Sequence, residues 1–167
     1  MRDLSKMGKE ELEGYANFLL WQYRLVDALW FLAVEDKFGL DAAVNLNEEI
    51  WGKIATMAAR DIKKRFRIRG RGLSDVIEAL SYFPWAIITG YKIVKKAENR
   101  AVLFVSSCPP QEARLRHGRA EFPCKKMHSA ALANFAKVVN EKVKLKCHFA
   151  PPDPHPKDIW CEWEFQL

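Results

Sequence analysis

Strict two-residue alternation near the carboxy terminus constrains this chain more than any other feature. Between 142 and 149, Val143, Leu145, Cys147 and Phe149 alternate with Lys142, Lys144, Lys146 and His148. Between 159 and 167, Ile159, Cys161, Trp163, Phe165 and Leu167 alternate with Trp160, Glu162, Glu164 and Gln166. Successive side chains of a strand point to opposite faces, so each segment reads as a strand with one core face. A hairpin centred on Pro154 would oppose Phe149 to Ile159 and Cys147 to Cys161, with Cβ atoms about 4.5–5.5 Å apart. The same register sets lysines against glutamates outside. The nine-residue connection permits a two-residue slip, which would keep every side chain on its face.

Upstream, residues 85–96 and 100–107 are rich in aromatic and β-branched residues, with Glu98-Asn99 as a turn between them, and read as a second hairpin. Before residue 84 the period becomes helical. Leu12, Tyr15, Leu19, Tyr23, Val26, Trp30 and Ala33 predict a helix over 9–38, ended by Gly39. A second helix runs from Asp41 to about Phe66, with Ala42, Leu46, Ile50, Ile54 and Met57 on one face. Gly70-Arg71-Gly72 is a turn, and Ser74 begins a short helix ended near Pro84. Pro109-Pro110 stops a strand, residues 111–117 make one or two helical turns, and 125–140 is a helix. The expectation is an α+β fold: a helical part over 1–84 packed on an antiparallel sheet of about four strands over 85–167. Its length of 167 residues suits a single domain over 1–167.

Composition narrows the function classes. Apolar residues make up 49% of the chain, enough for a packed core, yet the most apolar stretch, 18–34, is interrupted by Arg24 and Asp27 and does not read as a membrane span. The amino terminus, MRDLSKMGKEELEG, has no apolar leader segment, which predicts a cytoplasmic protein with reduced thiols. The net charge of +6 is concentrated between Arg60 and Arg71, where Arg60, Lys63, Lys64, Arg65, Arg67, Arg69 and Arg71 face one acid, Asp61. Such a run can bind phosphate, but it also suits the negative end of a helix dipole. With no interleaved stacking aromatics and no groove-reading motif, nucleic acid is not the expected partner.

Four cysteines, Cys108, Cys124, Cys147 and Cys161, lack the CxxC spacing of a zinc knuckle. One reading makes them small buried hydrophobes. The other makes them metal ligands, since Cys147 and Cys161 share a strand face while Cys108 and Cys124 sit at element ends beside prolines. Cys124 opens a helix and precedes Lys125 and Lys126, and both features favour a thiolate. In a reducing compartment three or four converging thiolates suit zinc. His148, His155 or Glu162 offers a substitute ligand, although the register turns His148 to the polar face. The loop Ala150-Pro-Pro-Asp-Pro-His-Pro-Lys157 reads as a rigid turn or as a site that fixes Asp153 and His155. His117 and His128 read as surface or satisfied histidines. In the first helix Asp27 and Glu35 share a partly aromatic face with Trp30 and Phe31. They would line a ligand cavity, or Asp27 would pair with Arg24 one turn back.

The runs Asp27-Ala-Leu-Trp30-Phe31-Leu-Ala-Val-Glu35, Phe122-Pro123-Cys124-Lys125, Pro151-Pro152-Asp153-Pro154-His155-Pro156 and Cys161-Glu162-Trp163-Glu164-Phe165, with Phe38-Gly39, Leu46-Asn47, Trp51 and Cys147, resemble a family of prokaryotic cytosolic proteins of unknown function, over nearly the whole chain. More remotely, the carboxy-terminal third is similar to the vinyl-reductase domain and to L-2-amino-thiazoline-4-carboxylate hydrolases, with Cys124, Cys147 and Cys161 at the matching cysteines. The vinyl-reductase likeness implies a small-molecule binding or sensor fold, and in some phenol sensors its cysteines hold structural zinc. A glutamate found there three residues before the middle cysteine is Lys144 here, which leaves Cys108 as the substitute fourth ligand. The expected function is therefore a ligand-binding or sensor domain braced by zinc on Cys108, Cys124, Cys147 and Cys161, with Asp27, Trp30, Phe31, Glu35, Asp153 and His155 toward the ligand. The alternative is a hydrolase using Cys124 or a metal-bound water as nucleophile. A first helix of about 45 Å is longer than such a domain needs, which motivates a homodimer.

Overall fold

The computed structural model describes residues 3–167, so the first two residues of the amino-terminal stretch read for a leader lie outside the described residues. After a 3-10 turn at Leu4–Lys6, α1 runs Lys9–Phe38 and α2 runs Leu40–Arg65. Gly39 alone separates them. Its φ of 86° with ψ of 163° is a conformation that side chains other than hydrogen rarely adopt. α2 closes with Arg67 at φ 58° and the Ile68 N–H donating back to the Lys63 carbonyl at 3.0 Å, which satisfies an orphan carbonyl of the last turn. In the turn that follows, the Gly72 N–H donates to Asp75 at 2.8 Å. A Cβ on Gly70 would lie 2.0 Å from Asp75 Oδ1, so only glycine lets that carboxylate close over the start of α3 (Leu73–Ser81).

The remaining elements are α4 (Pro84–Ile88), β1 (Lys92–Ala97), β2 (Arg100–Val105), α5 (Pro109–Arg116), α6 (Lys125–Val139), β3 (Lys144–Phe149) and β4 (Cys161–Gln166). The four strands form one antiparallel sheet in the order β1-β2-β4-β3. The protein is α+β, with its helical part first and its sheet in the carboxy-terminal half. Residues 84–88 depart from the strand expected there. Pro84 presets the backbone of a first helical turn, and a short apolar run looks alike in helix and strand.

The carboxy-terminal register differs from the hairpin first drawn. Cys147 stands opposite Trp163 and Leu145 opposite Phe165, so the Cys147–Cys161 pair does not form. Cys161 instead faces Val105 on β2. Up to Cys147 this is the two-residue slip, and the faces survive it: Trp163 and Phe165 are fully buried, while Lys146 opposes Glu164 on the other face, where Arg100 and His148 cover the carboxylate. A bulge between Cys147 and Phe149 then sets Phe149 opposite Glu162. The central position of β4 is what decides the slip. β4 must pair β2 from Arg100↔Gln166 to Val105↔Cys161 as well as β3, and the Trp160 N–H extends that ladder to the Val105 carbonyl at 2.8 Å.

The core lies between the inner sheet face and the helices. Leu103, Val105, Trp163 and Phe165 meet Leu132, Phe135 and Ala136 of α6, Ala55 and Ala59 of α2, and Val76 and Leu80 of α3. Small residues bring α2 and α6 together; at Gly52 a Cβ would already stand 3.3 Å from Asn134 Nδ2. α1 is the exception, because none of its 30 residues is buried. No described helix is long and apolar enough to cross a membrane.

Candidate functional site

The expected cysteine-held zinc site does not form. Among the described residues no group of three or more His, Cys, Asp or Glu side chains is placed to hold a metal ion. The register sets Cys147 opposite Trp163 rather than Cys161. Cys147 lies half-exposed on β3, under the influence of Lys125 and Asp153. The other three thiols share an interior cluster with Tyr91, whose hydroxyl is pushed far up by burial and by Cys161, Cys108 and Cys124 around it.

That cluster is neutral. Burial pushes the Cys108 thiol up to about 11 and the Cys161 thiol up to about 12. Cys124, expected as a thiolate at a helix start, is buried and goes up further; desolvation outweighs the hydrogen bond from Gln111. The three therefore behave as thiols at neutral pH. Tyr91 Oη lies 2.8 Å from His128 Nε2, and burial lowers His128 to about 4, so the imidazole is uncharged. His128 stacks on Trp163 with centroids 5.6 Å apart. The Trp163 indole N–H finds no nitrogen or oxygen acceptor, and it bears on the Cys161 sulfur. Gln111 closes the cluster. Its side chain exchanges two hydrogen bonds with the Phe122 backbone, at 2.7 and 2.8 Å, and also reaches Cys124 Sγ at 3.6 Å. A thiol-exchange reagent should modify native Cys147 at least about tenfold faster than the three clustered thiols, because its thiol is less deeply buried and the upward push of burial is opposed by Lys125. Four equally fast thiols would refute this arrangement.

Two residues expected at a ligand tie α1 to the body instead. Glu35 accepts both arms of the buried Arg114 guanidinium, at 2.6 and 3.0 Å, and Arg119 stands 3.3 Å away. Its carboxyl is held below its usual range by the Arg114 hydrogen bond. Arg114 also donates to the Ala120 carbonyl at 2.7 Å and lies over Phe31, whose ring packs on Phe122 at 4.7 Å. Asp153 sits in the Pro-rich loop, bonded to Lys125 Nζ at 2.7 Å. His155, 3.5 Å from Glu121 and 5.1 Å from the Trp160 ring, lies on the same loop. Trp30 is 70% exposed and joins none of these groups.

Asp27 is the distinctive carboxylate. It does not pair with Arg24. The Trp51 indole N–H donates to its Oδ1 at 3.1 Å, and among the described residues Oδ2 receives no hydrogen bond. Burial raises the carboxyl to about 6, against the lowering effect of Trp51. Around it Tyr23, Trp51 and Trp85 form a triangle of rings with centroids 5.8–6.1 Å apart. The sequence flags Asp27 but gives no local sign of Tyr91, Gln111 or Arg114, which acquire roles only through partners more than ten residues away or on other elements.

No curated protein matches the chain. A crystal structure of a trafficking protein particle complex subunit 3 from Naegleria fowleri, covalently bound to palmitic acid, is similar over 93% of this chain and 96% of that one, at a TM-score of 0.50 and 12% identity. At that identity the likeness is one of fold, and it lies with a trafficking subunit rather than with the expected vinyl-reductase domain. The profile of a family of unknown function, DUF6125, matches residues 7–167, so the chain belongs to the DUF6125 family.

Proposed function

We propose that this protein is a small-molecule-binding domain whose ligand sits over Asp27, beside Tyr23, Trp51 and Trp85, and donates a hydrogen bond to Oδ2. The supporting observation is the half-buried carboxyl with one oxygen free, no basic partner and three aromatic rings beside it. Apolar walls with a few placed polar groups are the usual makeup of a ligand site. A cationic or amide-bearing ligand would restore the interaction lost on desolvation and draw on the ring faces. Nucleophilic use of Cys124 would require that thiol to be uncovered and deprotonated, and burial opposes both. A fragment library of amines, amides and neutral aromatics should produce binders that shift the Trp51 indole resonance and lose affinity at least about tenfold in Asp27→Asn, the cost of one hydrogen bond to a charged group. Binders that leave Trp51 unmoved, or none at all, would sink this reading.

A specific observation also favours a homodimer. On α1, Leu12, Leu19, Val26 and Ala33 recur every seven residues, Tyr15 and Leu29 fall at the second heptad position, and all six are exposed. A seven-residue apolar repeat matches a helix–helix seam. The acidic first turn, Glu10 and Glu11 followed by Glu13, argues against an anionic membrane as the covering surface. Light scattering should give twice the 19.3 kDa chain mass, and Leu19→Glu with Val26→Glu should return it to 19.3 kDa with unchanged helix content. A wild-type monomer at tens of micromolar would rule the seam out as a dimer contact.

A further inference from the structure

We propose that the groove between α2 and α6 is a second binding site, for the phosphate group of a small phosphate monoester. Two adjoining depressions, of about 750 and 550 Å³, share Thr56 and Asn134 and run along the contact between these helices. Arg60, Lys63, Lys64 and Lys137 line the first. Elsewhere along α1 and α2 several cations are ion-paired one turn from an acid: Lys9 with Glu13, Lys53 with Glu49, Arg65 with Asp61. At the groove the acids run short. Asp61 bears on Lys64 but is hydrogen-bonded to Arg65. Arg60 and Lys64 are one turn from each other, a spacing that is unfavourable between like charges, and Lys137 of α6 lines the same depression. Arg60, Lys64 and Lys137 take part in no ion pair among the described residues, while Lys63 donates to the Val138 carbonyl at 3.3 Å and is thereby held at the wall. A dianion between the helices offsets the repulsion that the fold otherwise carries there.

The other end of the groove selects the ligand class. Beyond Thr56 and Asn134 the wall is Gly52, Met57 and Ala130, and then Glu48 with the Glu49–Lys53 ion pair. The groove is thus basic at one end, nearly apolar in its middle and carries one uncompensated acid, Glu48, at the far end. A polyanion laid along it would meet Glu48, so a nucleic-acid strand is disfavoured. One phosphate with an uncharged or cationic remainder matches the whole length. Gly52 opens the middle: its missing side chain lets Asn134 Nδ2 approach the Gly52 carbonyl at 3.3 Å. This site is separate from the Asp27 cluster and does not depend on it.

The test uses the full chain and sn-glycerol 3-phosphate as probe, with glycerol as the uncharged control, read by amide resonances of Thr56 and the Asn134 side chain. Saturable shifts with glycerol phosphate and none with glycerol are expected. The Arg60→Gln/Lys137→Gln variant should weaken the affinity at least tenfold, with its melting temperature unchanged because both side chains are exposed or lack partners. Absence of saturable shifts would overturn the proposal, as would equal affinity in the variant. So would binding only to phosphatidylserine vesicles or to a single-stranded oligonucleotide with no response to the soluble ester, since the basic end would then be a surface for polyanions.

Discussion

Glu35→Ala should lower the unfolding free energy by about 3–5 kcal/mol, the largest single loss expected in this chain, because it strands a buried guanidinium. Arg114 is only 7% exposed, and Glu35 is its one carboxylate partner. Its remaining hydrogen bond, to the Ala120 carbonyl, does not neutralise the charge. For a domain of this size the loss corresponds to roughly a 10 °C fall in melting temperature. The paired variant Glu35→Leu/Arg114→Met should recover most of it, since an apolar pair of similar volume avoids desolvating either ion. Chemical denaturation of the two singles and the double completes the cycle. A loss below about 1 kcal/mol in Glu35→Ala would show that the pair behaves as an exposed one, and that α1 is held by Phe31 and α2 alone.

Asp27→Asn should act in the opposite direction and stabilise the protein at pH 7 by about 3 kcal/mol, given a carboxyl raised from 3.8 to about 6. The native state keeps this proton longer than the unfolded chain does. Asp27 therefore makes stability fall as pH rises from about 4 to 6, and its full cost is present above that window. His128 has the reverse slope. Its folded pKa of about 4 lies below 6.5, so the unfolded chain takes a proton first and stability is lost as pH falls through that range. The two contributions overlap and largely cancel between about pH 4 and 6.5, which leaves the native slope there to the carboxylates held low by their partners, Glu35 among them. In Asp27→Asn the His128 slope is uncovered, and stability should climb more steeply with pH over the same interval than in the parent. Denaturation midpoints across this range decide the matter: a variant with the parent's slope, or one less stable at pH 7, contradicts the burial assigned to Asp27.

The helices were legible because their signals are local. The α1 span, Lys9–Phe38, follows from apolar spacing and a terminal glycine, and α6 from its start after Pro123-Cys124. The face of each carboxy-terminal strand was legible too, since a period of two survives any even slip. The cysteine site was not. Its assembly depends on which residue faces Cys147, a property set by the need of β4 to satisfy two neighbouring strands at once. The ionisation of Cys124 was misjudged for a related reason. Helix position and neighbouring lysines are visible in a sequence, whereas the depth of burial that raises the thiol is not.

The sequence by itself determined the order of the helices and strands apart from α4, the inward faces of β3 and β4, and the presence of two carboxylates on a partly aromatic face of α1, all of which rest on spacing along the chain. Only the tertiary structure decided that Glu35 serves a buried arginine, that Asp27 keeps a free oxygen among aromatic rings, and that three cysteines are uncharged thiols around Tyr91. Those properties arise from desolvation and from partners on other elements. Both are fixed when separate elements pack, and neither is written in the spacing of any one of them.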